Sequence, residues 1–121
     1  MKSIVKVNKI RSYQTLVYKN GNRTFKKKEY TQYIQEIQKQ LKDDHTFTKD
    51  IMVSIKFYSN TRAIGDLDNI TKPILDILQS SGIISNDRYI IKLELSKMFG
   101  SKENIIEIDI SEYKDSGVIH I

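Results

Sequence analysis

The stretch Gly65-Asp66-Leu67-Asp68-Asn69-Ile70-Thr71-Lys72-Pro73-Ile74-Leu75-Asp76, with Gly82 and Asn86-Asp87 beyond it, decides how the chain is read. At about 100° per residue, Ile70, Ile74, Ile77 and Leu78 share one side of a helix over about residues 69–80. Asp68, Lys72 and Asp76 share a roughly opposite arc of about 80°. Gly82 is placed to end that helix. Pro73 removes an amide donor, so the helix either bends there or starts nearer Thr71. Asp66 and Asp68 lie two apart where a loop leads into the helix, and in extended backbone both carboxylates point the same way. Two such charges side by side call for a cation, and Mg²⁺ or Mn²⁺ takes oxygen ligands while keeping several waters. A plainer reading makes Asp68 the helix N-cap, Asp66 a loop acid, and Asp68–Lys72–Asp76 an ordinary i,i+4 ladder.

Upstream, Ile51, Val53, Ile55 and Phe57 alternate with Met52, Ser54 and Lys56, which predicts a strand with one apolar face. Tyr30, Tyr33, Ile34, Ile37 and Leu41 fall at helical spacing within about residues 27–42, followed by an exit loop at Asp43-Asp44-His45. Before that, Thr15–Tyr18 and Arg23–Phe25 flank Asn20-Gly21 and predict a hairpin. Ser3–Ile10 reads as a further short strand. Downstream, Ile91, Leu93 and Leu95 form one alternating run, and Ile106, Ile108 and Ile110 another. Only Phe99–Asn104 separates the runs, which predicts an antiparallel hairpin. The fold class is therefore α/β (α+β): one domain over residues 1–121, with two amphipathic helices on a mixed sheet of four to six strands. Residues 115–121 read as a tail or a short added strand.

Composition narrows the chemistry. The 121 residues include no Cys and two His, which removes thiolate metal sites and thiol nucleophiles. His45 and His120 read as surface residues. No apolar run is long enough for a membrane span, and no secretion signal is visible at the start. The net charge of +5 conceals a split: residues 1–60 carry 13 Lys/Arg against 5 Asp/Glu, and residues 61–121 carry 7 against 10. A basic half suits a polyanion, and an acidic half suits a cation. Lys9, Arg11, Lys19, Arg23, Lys26, Lys27, Lys28 and Arg62 are the candidate contacts for such a polyanion. The lysine run opens a helix, where positive charge opposes the dipole, and this favours phosphate contact over a mere solubility role. Tyr13, Tyr18 and Phe25 lie among these charges and read as hairpin packing or as stacking platforms for bases.

Two other acid motifs fit poorly. A calcium-hand loop counted from Asp66 would have Thr71 where Gly is required and Ile77 where Glu is required. A haloacid-dehalogenase acid pair would follow a buried N-terminal strand, whereas Asn60–Gly65 reads as a loop in mid-chain.

Asp66-x-Asp68-Asn69-x-x-Lys72-Pro73-x-x-Asp76-x-Leu78, then Gly82 and Asn86-Asp87, resembles the core motif of the RusA family of Holliday junction resolvases. The resemblance implies a homodimeric, Mg²⁺-dependent endonuclease (with Mn²⁺ as a substitute) that makes symmetric nicks across a four-way DNA junction. It further implies a bacterial cytoplasmic setting, chromosomal or phage-borne. It assigns Asp66, Asp68 and Asp87 as metal-binding catalytic carboxylates and Lys72 as the functional lysine, with Asn69 and Asp76 in support. Asp87 would join the cluster if its strand lay beside the one leading to Asp66. Gly65 stands where some members have a basic residue, and Asn86 where an Asp is usual. The alternatives are a non-catalytic DNA-binding protein on the same fold and a nuclease for flaps or other branched DNA.

Overall fold

Ile51, Val53, Ile55 and Phe57 have no solvent exposure, and the strand that carries them, β4 (Ile51–Ser59), is paired along both edges. The computed structural model describes residues 1–41 and 45–114. In chain order the other elements are β1 (Lys2–Val7), α1 (Tyr13–Leu16), β2 (Val17–Asn20), β3 (Arg23–Lys26) and α2 (Lys28–Gln38). After β4 come α3 (Leu67–Ser80), a 3-10 turn (Asp87–Tyr89), β5 (Ile90–Phe99) and β6 (Asn104–Glu112). This is a mixed α+β domain with a four-stranded sheet in the order β1-β6-β4-β5 and a separate β2-β3 hairpin. No helix among the described residues is long and apolar enough to cross a membrane. Asp43, Asp44 and the 115–121 tail lie outside the described residues.

The predicted β5–β6 hairpin does not form. β5 runs parallel to β4 on one side, while β6 runs antiparallel to it on the other. The connection crosses the end of β4, where the Ser101 amide donates to the Ser59 carbonyl at 3.1 Å. Alternation records which face of a strand is apolar, and that face is the same whichever strand lies alongside. Here α3 links β4 to β5 as a crossover, the connection that a parallel pair requires. The pairing slips at its start: Ile51 faces Ile90 and Met52 faces Lys92, leaving Ile91 as an extra residue.

One face of the sheet is covered and the other is open. Val5, Ile106, Ile108 and Ile110 join the β4 residues beneath Tyr30, Tyr33 and Ile37 of α2 and Ile70, Ile74, Ile77 and Leu78 of α3. Each such side chain contributes about 1.5–3 kcal/mol by leaving water. The open face carries cross-strand polar contacts, including Lys2–Glu107 at 3.0 Å and Tyr58 Oη to Glu107 at 3.1 Å.

Two local expectations need correction. Residues 13–16 form one helical turn instead of a strand, because Ser12 O accepts both the Thr15 amide (3.1 Å) and its hydroxyl (2.8 Å). That turn is a third helix beside the two expected. The first long helix is shorter than predicted and ends at Gln38. The β2–β3 hairpin is as predicted, with Gly21 at φ 65 in its two-residue loop. Tyr18 and Phe25 stack on each other across it at 5.4 Å, which is hairpin packing.

Asn104 ties three segments together at one end of the sheet. Its Oδ1 accepts the Asn60 amide at 3.1 Å and its Nδ2 donates to the Asn8 carbonyl at 3.0 Å, in a site only 8% exposed. Asn104→Ala strands both backbone groups, and the expected loss of about 1–3 kcal/mol is measured by urea unfolding.

Candidate active site

α3 begins earlier than the sequence suggests. Its N-cap is Asp66 (φ −73, ψ 153), with no side-chain capping bond, and Asp68 already lies in the first turn. The extended-backbone argument for aiming Asp66 and Asp68 together therefore does not apply, since only Asp66 is extended. The helix starts well before Thr71 and continues through Pro73, which is buried against the core. Both carboxylates are exposed, and Asn69 is half-buried.

Gly65 holds this helix start in position. Its φ is +100, and a Cβ there would meet the Ser12 Cβ at 3.2 Å. A side chain here would be strained by the backbone and crowded against Ser12, which disfavours the basic residue that the family resemblance leads one to expect. Basic groups approach from elsewhere instead. Lys97 Nζ donates to the Gly65 carbonyl at 2.9 Å, and the Arg62 guanidinium lies 4.5 Å from the Phe99 ring. Lys9 and Arg11 line a cleft that also includes Gly65.

Along α3 the predicted polar face opens on a groove of ≈ 230 Å³ lined by Asp68, Thr71, Lys72, Leu75, Asp76, Asp87, Leu93 and Leu95. Lys72 has two neighbours, one of them held in turn by a tyrosine. Its Nζ is 3.8 Å from Asp76 Oδ2 and 4.9 Å from the centre of the Tyr13 ring, and Tyr30 Oη donates to the same Asp76 oxygen at 3.3 Å. The Lys72–Asp76 pair is about half exposed, so its energetic worth is small and its effect is to orient. Lys26 Nζ caps the other side of the Tyr30 ring at 4.6 Å. Burial, followed by the charge and hydrogen bond of Asp76, pushes the Tyr30 phenol up to about 12. Thr71 lines the groove, and its Oγ1 is buried without a hydrogen-bond partner.

Asp87 starts the 3-10 turn before β5, and its amide donates to Gln79 Oε1 at 2.8 Å, near the C-terminal end of α3. Asn86 caps that turn by accepting the Arg88 amide at 2.9 Å, a role that Asn fills as well as Asp. β5 does lie beside β4, as the cluster required, but in parallel. Its start is level with the start of β4, while Asp66 comes after the end of β4. Asp68 and Gln79 are eleven residues apart on α3, about 16 Å at helical rise. Within one chain, then, Asp66 and Asp68 occupy one end of α3 and Asp87 borders the other. Among the described residues, no three Asp, Glu or His side chains come close enough together to hold a metal.

The remaining basic candidates spread along the hairpin and α2. Lys19 and Arg23 are exposed on β2 and β3, Lys26 ends β3, Lys27 is the α2 N-cap and Lys28 its first residue. His45 is exposed, with its ring edge-on to Phe47 at 4.7 Å. Tyr30, Thr71 and Lys97 were not legible as site residues, and Tyr13 was read only as hairpin packing or a stacking platform for bases. Tyr30 reads as helix core and Lys97 as a strand charge, and neither carries a motif.

The sequence profile described as Endodeoxyribonuclease RusA matches residues 7–111. The chain belongs to the RusA family, whose members are endodeoxyribonucleases, hydrolases that act on branched DNA junctions. Comparison with curated proteins returns no match.

The raised phenol provides a probe of the groove. In an alkaline absorbance titration, Tyr30→Phe removes a tyrosine with a midpoint near 12, and Asp76→Asn lowers that midpoint. Because the folded state holds this proton more tightly than the unfolded chain, its stabilising contribution is complete below the ordinary value of 10.0 and is lost as pH rises towards about 12.

Proposed function

We propose that the protein is a structure-selective endodeoxyribonuclease that resolves four-way DNA junctions by paired symmetric nicks, with Mg²⁺ as its cofactor. The observation that carries this reading is the acid–lysine face of α3, exposed on a groove in a chain of the RusA family. Asp66, Asp68 and Asp87 supply hard oxygen donors of the kind Mg²⁺ takes, and Mn²⁺ would substitute. A single chain, however, does not draw all three together.

The chain's own residues account for the rest of the chemistry. Lys72, steered by Asp76 and Tyr30 and resting against Tyr13, presents its ammonium where negative charge develops as a phosphodiester bond breaks. Lys9, Arg11, Lys97 and Arg62 surround the start of α3 and would draw a phosphate backbone towards Asp66 and Asp68. Lys19, Arg23 and the Lys26–Lys28 run extend that grip across the hairpin and the start of α2. A junction offers two equivalent strands, so paired nicks require two copies of the site and hence a homodimer.

The test uses a labelled synthetic four-way junction beside a flap and a linear duplex, each with Mg²⁺ or EDTA. The wild type is expected to cut the junction in Mg²⁺ alone. Asp66→Asn, Asp68→Asn and Asp87→Asn should each lower nicking by about 100-fold or more while junction binding persists. Wild-type rates in all three variants would end this reading, whereas equal cutting of flap and junction would move it to a general branched-DNA nuclease. Replacing Lys26, Lys27 and Lys28 together with Ala should make the log–log salt dependence of junction binding shallower by roughly 2–3 units. An unchanged slope would remove those lysines from the interface.

A further inference from the structure

The β2–β3 hairpin stands apart from the four-stranded sheet, and its two sides are built differently. Val17 faces Lys26, Tyr18 faces Phe25, Lys19 faces Thr24 and Asn20 faces Arg23. Facing residues share a side of the ribbon and successive residues alternate. Val17, Lys19, Thr24 and Lys26 therefore lie on one side, and Tyr18, Asn20, Arg23 and Phe25 on the other. The first side is turned to the body of the protein, since Val17 packs against the core and Lys26 Nζ lies over the Tyr30 ring of α2. The second side is turned away from it.

That outward side carries a bare aromatic pair. Tyr18 is 50% exposed and Phe25 37%, and no other Tyr or Phe among the described residues is exposed. Their rings lie 5.4 Å apart at 21°, a stack that still leaves ring surface in water. Arg23 and Asn20 share this side next to the turn, and residues 17–28 hold five Lys or Arg and no Asp or Glu. Packing of one ring on the other steadies the ribbon, but it does not explain why the pair is left open amid positive charge with no acid to balance it. A flat π surface beside such charge matches one occupant, a DNA strand with unstacked bases. A base continues the ring stack, and the adjoining phosphate meets Arg23. In linear duplex the base faces are already covered by their neighbours, so this surface separates branched or single-stranded DNA from duplex.

Both strands of the hairpin are rooted beside the acid–lysine face of α3. α1 runs directly into β2, and its Tyr13 ring lies 4.9 Å from Lys72 Nζ. Lys26, at the end of β3, covers Tyr30, whose hydroxyl donates to Asp76. Tyr18 and Phe25 form the next pair beyond that root.

We propose that the Tyr18–Phe25 pair is a stacking platform for unpaired DNA bases, with Arg23 on the adjoining phosphate, and that it makes the protein prefer branched to linear DNA. The proposal rests on the endonuclease reading for its substrate, but the binding is measured in EDTA, without cutting.

Fluorescence anisotropy with a four-way junction, a dT strand of about 12 nucleotides and a linear duplex reads the three affinities. Tyr18→Leu and Phe25→Leu keep apolar bulk for the hairpin and remove the π face. Each should weaken binding of the dT strand and of the junction by roughly tenfold and change duplex binding by less than about twofold. Tyr18→Phe should bind as the wild type does. Arg23→Ala should weaken binding of all three DNAs and make the log–log salt slope shallower by about 1. In the unsubstituted protein, 5-iodouracil placed at the crossover should photo-cross-link to a peptide holding Tyr18 or Phe25, and the same label in mid-arm should not.

Leucine variants that bind the dT strand or the junction as tightly as the wild type would overturn the platform. Equal losses on junction and duplex would also overturn it and leave the pair to hairpin packing alone. Should the leucine variants fail to fold, the cross-link decides, and a crossover label that reacts only with other segments ends the proposal. Loss of self-association with DNA binding intact would mark the pair as a contact between protein chains and would count equally against it. A wild type that cuts no junction would overturn the endonuclease reading instead, with the dT and cross-linking results still deciding this one.

Discussion

Burial of β4 is the constraint on which the other elements depend. Its residues Ile51, Val53, Ile55 and Phe57 are fully out of water, so the strand needs a neighbour on each edge and a helical cover on that face. β6 satisfies one edge as an antiparallel partner and β5 the other as a parallel one. A parallel neighbour demands a crossover, and α3 provides it while burying Ile70, Ile74, Ile77 and Leu78. The polar side of α3 is thereby turned towards the β5 edge, and the groove with Asp68, Lys72 and Asp76 on its wall is a product of that packing.

The same crossover separates the acids. A helix that returns the chain to the start of a parallel strand necessarily places its own two flanking segments at opposite ends of the sheet. Asp66 belongs to the first end and Asp87 to the second.

Much of this was legible along the chain, for reasons specific to each residue. The α3 stripe, its Asp–Lys–Asp face and the Gly82 stop are local consequences of helical periodicity, and the structure has them all. The Asn20-Gly21 hairpin is a matter of turn chemistry and is equally local. Where a nearby hydrogen bond competes with propensity the pattern misleads, as at Thr15, whose hydroxyl and amide both turn back to Ser12. The start of α3 misleads in sequence: Asp68 reads as the cap and Asp66 as a loop acid, whereas the structure caps the helix at Asp66, directly after Gly65 at φ +100. Tyr30 is hidden because a core tyrosine and one that hydrogen-bonds a site carboxylate look alike in a helical pattern.

The sequence by itself determined the α+β class, the apolar face of each element, the acid–lysine motif and the family it signals. These depend on residue types at short spacings, which secondary structure converts directly into faces. Strand order, the parallel pairing of β4 with β5, the contacts of Tyr30 and Tyr13 with Asp76 and Lys72, and the placing of Asp66 and Asp87 at opposite ends of α3 were decided only by the tertiary structure. They join residues far apart in the chain. Alternation and helical spacing carry no record of which neighbour a buried face will find.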